Sequence, residues 1–110
     1  MTGQRENADV QALYRHVNER IAAISRSFGR AERIHILCEC GSPGCAERLE
    51  IGSADYEQVR AQPTHFALLE GHEDQRVEDV IARASGYLVV ANHGVAATVA
   101  RRTDPRAGSR

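Results

Sequence analysis

The chain has 110 residues, a formal net charge of -1, 42% hydrophobic and 26% charged residues. These values describe one ordinary globular domain and exclude a strong global field for nucleic acid or membrane. All fourteen basic residues are arginine. No apolar run approaches the roughly 20 residues of a membrane span.

The N-terminal stretch is polar and has no signal-peptide pattern, so residues 1–8 are expected to be disordered and the protein to be cytoplasmic. From Asp9 to Phe28 the apolar residues Val10, Leu13, Tyr14, Val17, Ile21, Ile24 and Phe28 recur at steps of three and four. That period predicts a long amphipathic helix. Asp9 or Asn7 would cap its start, and Gly29 would stop it. The helix either packs on its own domain or pairs with a partner protein or a second copy.

Ile34, Ile36 and Cys38 alternate with His35, Leu37 and Glu39, and Arg48-Leu49-Glu50-Ile51 alternates again. Two strands with the cysteine segment at their hairpin tip follow from that pattern. Ser53 is expected to cap a short helix holding Tyr56, Val59 and Arg60, which ends before Pro63. His65 to Leu69 reads as a strand. Val77, Val80, Ile81 and Ala84 have helical spacing and predict a further helix stopped by Gly86. Tyr87 to Ala91 is the most apolar strand, Asn92-His93-Gly94 a turn, and Val95 to Arg102 a last helix. Residues 9–102 thus form one α+β domain with a small, mostly antiparallel sheet, and 103–110 is expected to fray.

All three cysteines fall in the run Cys38-Glu39-Cys40-Gly41-Ser42-Pro43-Gly44-Cys45. Alternate strand residues share a face, so Cys38 and Cys40 present both sulfurs together. The Gly-Ser-Pro-Gly turn returns Cys45 beside them. Gly41 and Gly44 suit a tight knuckle, because glycine tolerates positive φ. An odd cysteine count in a reducing compartment argues for a metal rather than disulfides. A structural zinc ion takes four ligands, commonly thiolates with an imidazole. Among His16, His35, His65, His72 and His93, His72 is the preferred fourth ligand because it follows Gly71 at a strand end. His93 and His65 are the alternatives. Glu39, Glu47, Glu73 and Asp74 are candidates to orient the ligands. One zinc ion is the expected cofactor, with an iron–sulfur cluster as the alternative.

The segments Val17-Asn18-Glu19-Arg20-Ile21 with Phe28, Cys38-Glu39-Cys40 with Cys45, Tyr56-Glu57-x-Val59-Arg60, Gly71-His72-Glu73 and Tyr87-Leu88-Val89-Val90 resemble an uncharacterised family of small actinobacterial proteins. Glu70 stands where that family's pattern has proline. The resemblance spans nearly the whole chain, implies no activity, and favours His72 as the ligand.

These features point to a small zinc-stabilised regulatory or protein-interaction domain whose partner surface is the 9–28 helix. A thiol-based redox or metal sensor is the nearest alternative. Enzyme action would need an open metal position with Glu73 or Glu39 as base, and no H-E-x-x-H or Ser-His-Asp arrangement is present. Nucleic-acid binding is not favoured, since acids are interspersed among the arginines and aromatics are 5%. No membrane partner is expected.

Overall fold

A computed structural model describes residues 3–27 and 32–109. The elements run α1 (Gln4–Ser27), β1 (Arg33–Leu37), β2 (Arg48–Gly52), α2 (Ser53–Arg60), β3 (His65–Leu68), β4 (Glu78–Ala84), β5 (Tyr87–Asn92) and α3 (Gly94–Arg102), followed by a 3-10 turn at Ala107–Ser109. The α+β class stands, with two small antiparallel sheets in place of one. β1 pairs with β2, and β5 lies between β3 and β4.

The β1–β2 hairpin opposes Ile34 to Ile51 and Ile36 to Leu49. Their alternation puts these four side chains on one face, where they are buried with Ala22, Tyr56, Val59 and Ala67. A second apolar group joins Phe66, Leu68, Leu88 and Val90 to Cys38 and Cys40. Burying such side chains stabilises by roughly 1.5–3 kcal/mol each. Leu69 packs against both groups.

Several elements differ from their sequence expectation. Glu78–Ala84, within the stretch expected to be helical, is a strand, β4, and Val77 lies in the turn before it. Its pairing with β5 shifts between Val80 and Ala82. The extra residue of that bulge breaks the two-residue alternation, and the remaining pattern imitates helical spacing. The α2 helix begins at Ser53, but Gly52 occupies its N-cap position and no side chain caps it. Gly29 and Phe28 lie outside the described residues.

Helix α1 starts at Gln4, inside the stretch expected to be disordered. Ala8 anchors this first part, buried with Val77, Ala96 and Val99. The segment after α3 packs rather than frays. Asp104 is buried and bonds Arg60, whose side chain is fully buried, at 2.6 Å. Arg106 bonds Glu19 at 2.6 Å and Glu57 at 2.7 Å. The C-terminal residues therefore join α1 to α2 through charge-assisted bonds.

The buried face of α1 is not its apolar stripe. Ala8, Gln11, Arg15, Asn18 and Ala22 are the buried positions, while Leu13 is 58% and Ile24 57% exposed. Polar side chains go inward because each finds partners there, as a buried polar group must. Gln11 donates to the Glu39 carbonyl and to Glu78, and accepts from Asn92. Arg15 donates to the carbonyls of Pro63 and Ala100 and to Thr103, and its guanidinium sits 4.8 Å above the Phe66 ring. Burial, with the Arg60 charge nearby, lowers the Arg15 pKa to about 10.

Candidate metal centre

The three cysteines and His72 converge through two turns built alike. Ser42-Pro43-Gly44-Cys45 closes with the Cys45 amide donating to the Ser42 carbonyl at 3.2 Å, and Gly44 has φ 81°. Proline at the second position and glycine at the third are the residues a type II turn requires. Leu69-Glu70-Gly71-His72 closes the same way, with the His72 amide on the Leu69 carbonyl at 3.0 Å and φ 89° at Gly71. The first turn returns Cys45 to Cys38 and Cys40. The second swings His72 off the end of β3 toward them.

Gly41 serves a different purpose from the one expected. It has no positive φ. A Cβ there would lie 2.9 Å from both the Cβ and the carbonyl oxygen of Asn7. The knuckle thus packs against the first turns of α1, and the missing side chain permits that approach.

The Sγ atoms of Cys38, Cys40 and Cys45 and one ring nitrogen of His72 all lie within 4.8 Å of one another. His72 Nδ1 is 3.5 Å from Cys38 Sγ and 3.8 Å from Cys45 Sγ. A tetrahedral zinc with bonds of about 2.3 Å to sulfur and about 2.0–2.1 Å to nitrogen separates those two atoms by about 3.5 Å. The donor set therefore fits one tetrahedral ion. Cys38 Sγ also receives the backbone N–H of Leu69 at 3.3 Å, and the backbone amides of Ser42 and Glu47 act to lower the pKa of Cys40 and Cys45. Backbone amides near the sulfurs favour the thiolate form that a metal needs.

The thiols do not ionise alike. Sharing a hydrogen bond with Cys38 holds Cys40 down to about 4, whereas the same contact and burial push Cys38 well above the ordinary range. Burial also raises Cys45. Three thiolates this close repel one another, and a divalent cation between them offsets that repulsion.

Of the four acidic candidates, Glu47 reaches a ligand. Its Oε2 lies 3.2 Å from His72 Nε2, the ring nitrogen opposite the sulfurs. Glu73 accepts the Gly71 amide at 2.8 Å and so fixes the turn before His72. Asp74 pairs with Arg76 at 2.7 Å and has no place among the ligands.

Glu39 points the opposite way from its cysteine neighbours. The alternation that aims Cys38 and Cys40 at the centre drives Glu39 into the core, where it is fully buried. It accepts from Asn18 Nδ2 at 3.0 Å, the Tyr56 hydroxyl at 2.7 Å and the Ala67 amide at 3.0 Å. Burial raises its pKa, and these donors with Arg60 oppose the rise. Its backbone amide also bonds the Ala67 carbonyl at 2.9 Å. Glu39 is thus the peg that fixes the ligand-bearing segment to α1, α2 and β3. Of its neighbours in this buried network, Gln11 was not singled out in the sequence, and Asn18 and Arg60 figured there only within longer segments, with no site role. The signal for those on α1 is the four-three step Gln11-Arg15-Asn18, a helical stripe of polar residues beside the apolar one.

The other histidines stand apart from the cluster. His93 lies before α3, 3.9 Å from Asp79. His65 opens β3, and burial lowers its pKa. His35 faces Glu50 on the exposed side of the β1–β2 hairpin at 3.4 Å. His16 is exposed on α1.

Fold and site together define a small α+β protein with a three-cysteine, one-histidine cluster able to hold a metal. Comparison with family models, with curated proteins and with solved structures gives no match. Among the described residues, no helix is long and apolar enough to cross a membrane.

Proposed function

We propose that this chain is a zinc-stabilised interaction or regulatory domain in which Cys38, Cys40, Cys45 and His72 hold one zinc ion in a structural role. The observation that carries it is the mutual approach of those four donor atoms to within 4.8 Å. Four protein donors complete the shell of one zinc and leave no position for a substrate or activated water. That supports a non-enzymatic role. The close spacing supports a single ion over an iron–sulfur cluster, which interposes iron and sulfide between its ligands. The ion would tie the hairpin tip to the Leu69–His72 turn, a staple that helps a domain with a modest core.

Elemental analysis with a visible spectrum of the purified protein tests the metal. One zinc per chain and no visible absorption is the expected result; iron with a charge-transfer band overturns it. Cys40→Ser tests the structural role. Structural zinc contributes on the order of 10 kcal/mol in finger peptides, comparable with a whole domain's stability. The variant is expected to lose zinc and to melt far below the wild type. An equally stable, zinc-free Cys40→Ser chain overturns the structural role.

A second reading, a thiol sensor, draws support from Cys45, the one cysteine of the three that is not fully buried. Peroxide titration with a zinc-release dye tests it, since oxidation removes the thiolate a metal needs.

A further inference from the structure

Part of the apolar stripe of α1 stays at the surface after the domain has folded. Apart from Tyr14, whose hydroxyl reaches the Ser42 carbonyl, and Phe28, outside the described residues, its members Val10, Leu13, Val17, Ile21 and Ile24 step along the helix by three, four, four and three residues. That series is a palindrome about Val17. Leu13 and Ile24 are 58% and 57% exposed, the most exposed large hydrophobics of the helix, and Val10, Val17 and Ile21 are half-buried, Ile21 with one side against the hairpin core. The inward face is occupied by Gln11, Arg15 and Asn18, so the stripe cannot turn in without stranding buried polar groups.

From this symmetry we infer that the chain pairs with a second copy of itself through α1, the two helices antiparallel about a two-fold axis at Val17. That arrangement sets Val17 on Val17, Leu13 on Ile21 and Val10 on Ile24, so every member of the stripe meets another. A two-fold interface must be self-complementary, and a palindromic stripe is. The three-and-four spacing is that of helix seams generally. The charges agree. Asp9 and Arg20 are exposed on one flank of the stripe, and neither takes an ion pair among the described residues. Antiparallel pairing carries Arg20 of each copy toward Asp9 of the other. Their offset is five residues, about 7.5 Å along the axis, which an arginine side chain spans. A groove of about 320 Å³ lined by His16, Glu19, Arg20, Ala23, Ile24 and Pro105 lies beside the seam. This pairing gives the interaction role proposed above its partner.

Sedimentation analysis of the zinc-loaded full chain, from micromolar to millimolar, tests it. The expected mass is twice the 12.1 kDa of one chain. Leu13→Glu should weaken association on the order of a hundredfold, as loss of a central anchor does. It should keep wild-type zinc content and melting temperature at the monomer level, because Leu13 lies outside the core. Asp9→Arg should weaken the dimer a few-fold, and adding Arg20→Asp should restore it. A wild type that stays monomeric throughout overturns the inference and leaves the stripe to an unlike partner. So does a Leu13→Glu chain that remains dimeric. Zinc is measured on the same samples, so a failed metal assignment and a failed dimer are read separately.

Discussion

His72 is held at both ends: Nδ1 faces Cys38 Sγ at 3.5 Å while Nε2 lies 3.2 Å from Glu47 Oε2. A carboxylate on the far nitrogen fixes the ring and its tautomer and makes the near nitrogen a better donor to a metal. Glu47 begins the return from Cys45 to β2, so one short loop supplies both a ligand and the group that orients another.

Replacing Glu47 with glutamine should therefore weaken zinc binding by about 10–100-fold and leave the fold intact, since the Glu47 side chain is 64% exposed. Competition with a chromogenic chelator measures this directly. Unchanged affinity would mean that the Glu47–His72 contact does not act on the metal.

Glu39→Ala should be far more damaging than its position between two cysteines suggests. It leaves the Tyr56 hydroxyl and the Ala67 amide buried without their acceptor. Each unsatisfied group costs about 1–3 kcal/mol, so a loss of about 3–5 kcal/mol is expected in denaturant unfolding of the zinc-loaded protein. Tyr56→Phe removes one donor only and should cost about 1 kcal/mol. Equal effects from the two substitutions would contradict the peg role.

The turn that presents His72 has Glu70 at its second position, where the matching turn at the knuckle has Pro43. Glu70→Pro should stabilise the protein by about 0.4–1 kcal/mol, because proline restricts the unfolded chain in a conformation the turn already adopts. The ion pair it removes, Glu70 to Arg83 at 3.2 Å, is exposed and contributes little. A lower melting temperature or a lost zinc would show that Glu70 needs a backbone proline cannot take.

Arg106 sets an acid limit. Burial alone would raise Glu19, but hydrogen bonds from Arg106 and the charge of Arg60 hold it below its ordinary 4.5. Hydrogen bonding from Arg106 lowers Glu57 in the same way. A carboxyl with a depressed folded pKa stabilises fully above its unfolded value and loses that contribution as pH falls through the folded one. The stability gap between wild type and Arg106→Ala should thus be complete above about pH 4.5 and close in stronger acid. Both proteins lose metal ligation in acid, so the difference between their denaturation curves isolates the carboxylates. A gap that does not change with pH would rule out this linkage.

The knuckle was legible in the sequence because its chemistry is local. Two cysteines at a two-residue step share a face by strand geometry alone, and Ser-Pro-Gly-Cys encodes its own turn. His72 could be preferred from its place after Gly71, since a strand end followed by glycine leaves the backbone free to bend. The elements whose residues repeat a single period, such as the hairpin strands, β5 and α3, were legible for the same reason. β4 was not, because a bulge changes the period within the strand, and a bulge is a property of pairing with β5.

What the sequence by itself determined is the set of groups able to hold a metal and the order of most elements, since both depend on spacing within a few residues. What only the tertiary structure decided is which face of α1 turns inward. Periodicity ranks faces by apolar content and would bury the stripe of Leu13 and Ile24. The folded chain buries Gln11, Arg15 and Asn18 instead, because their partners (Glu39, Glu78, Asn92 and the carbonyls of Pro63 and Ala100) come from segments far along the chain. A polar group is stable inside only when such partners are already in place, and spacing along one helix carries no record of them.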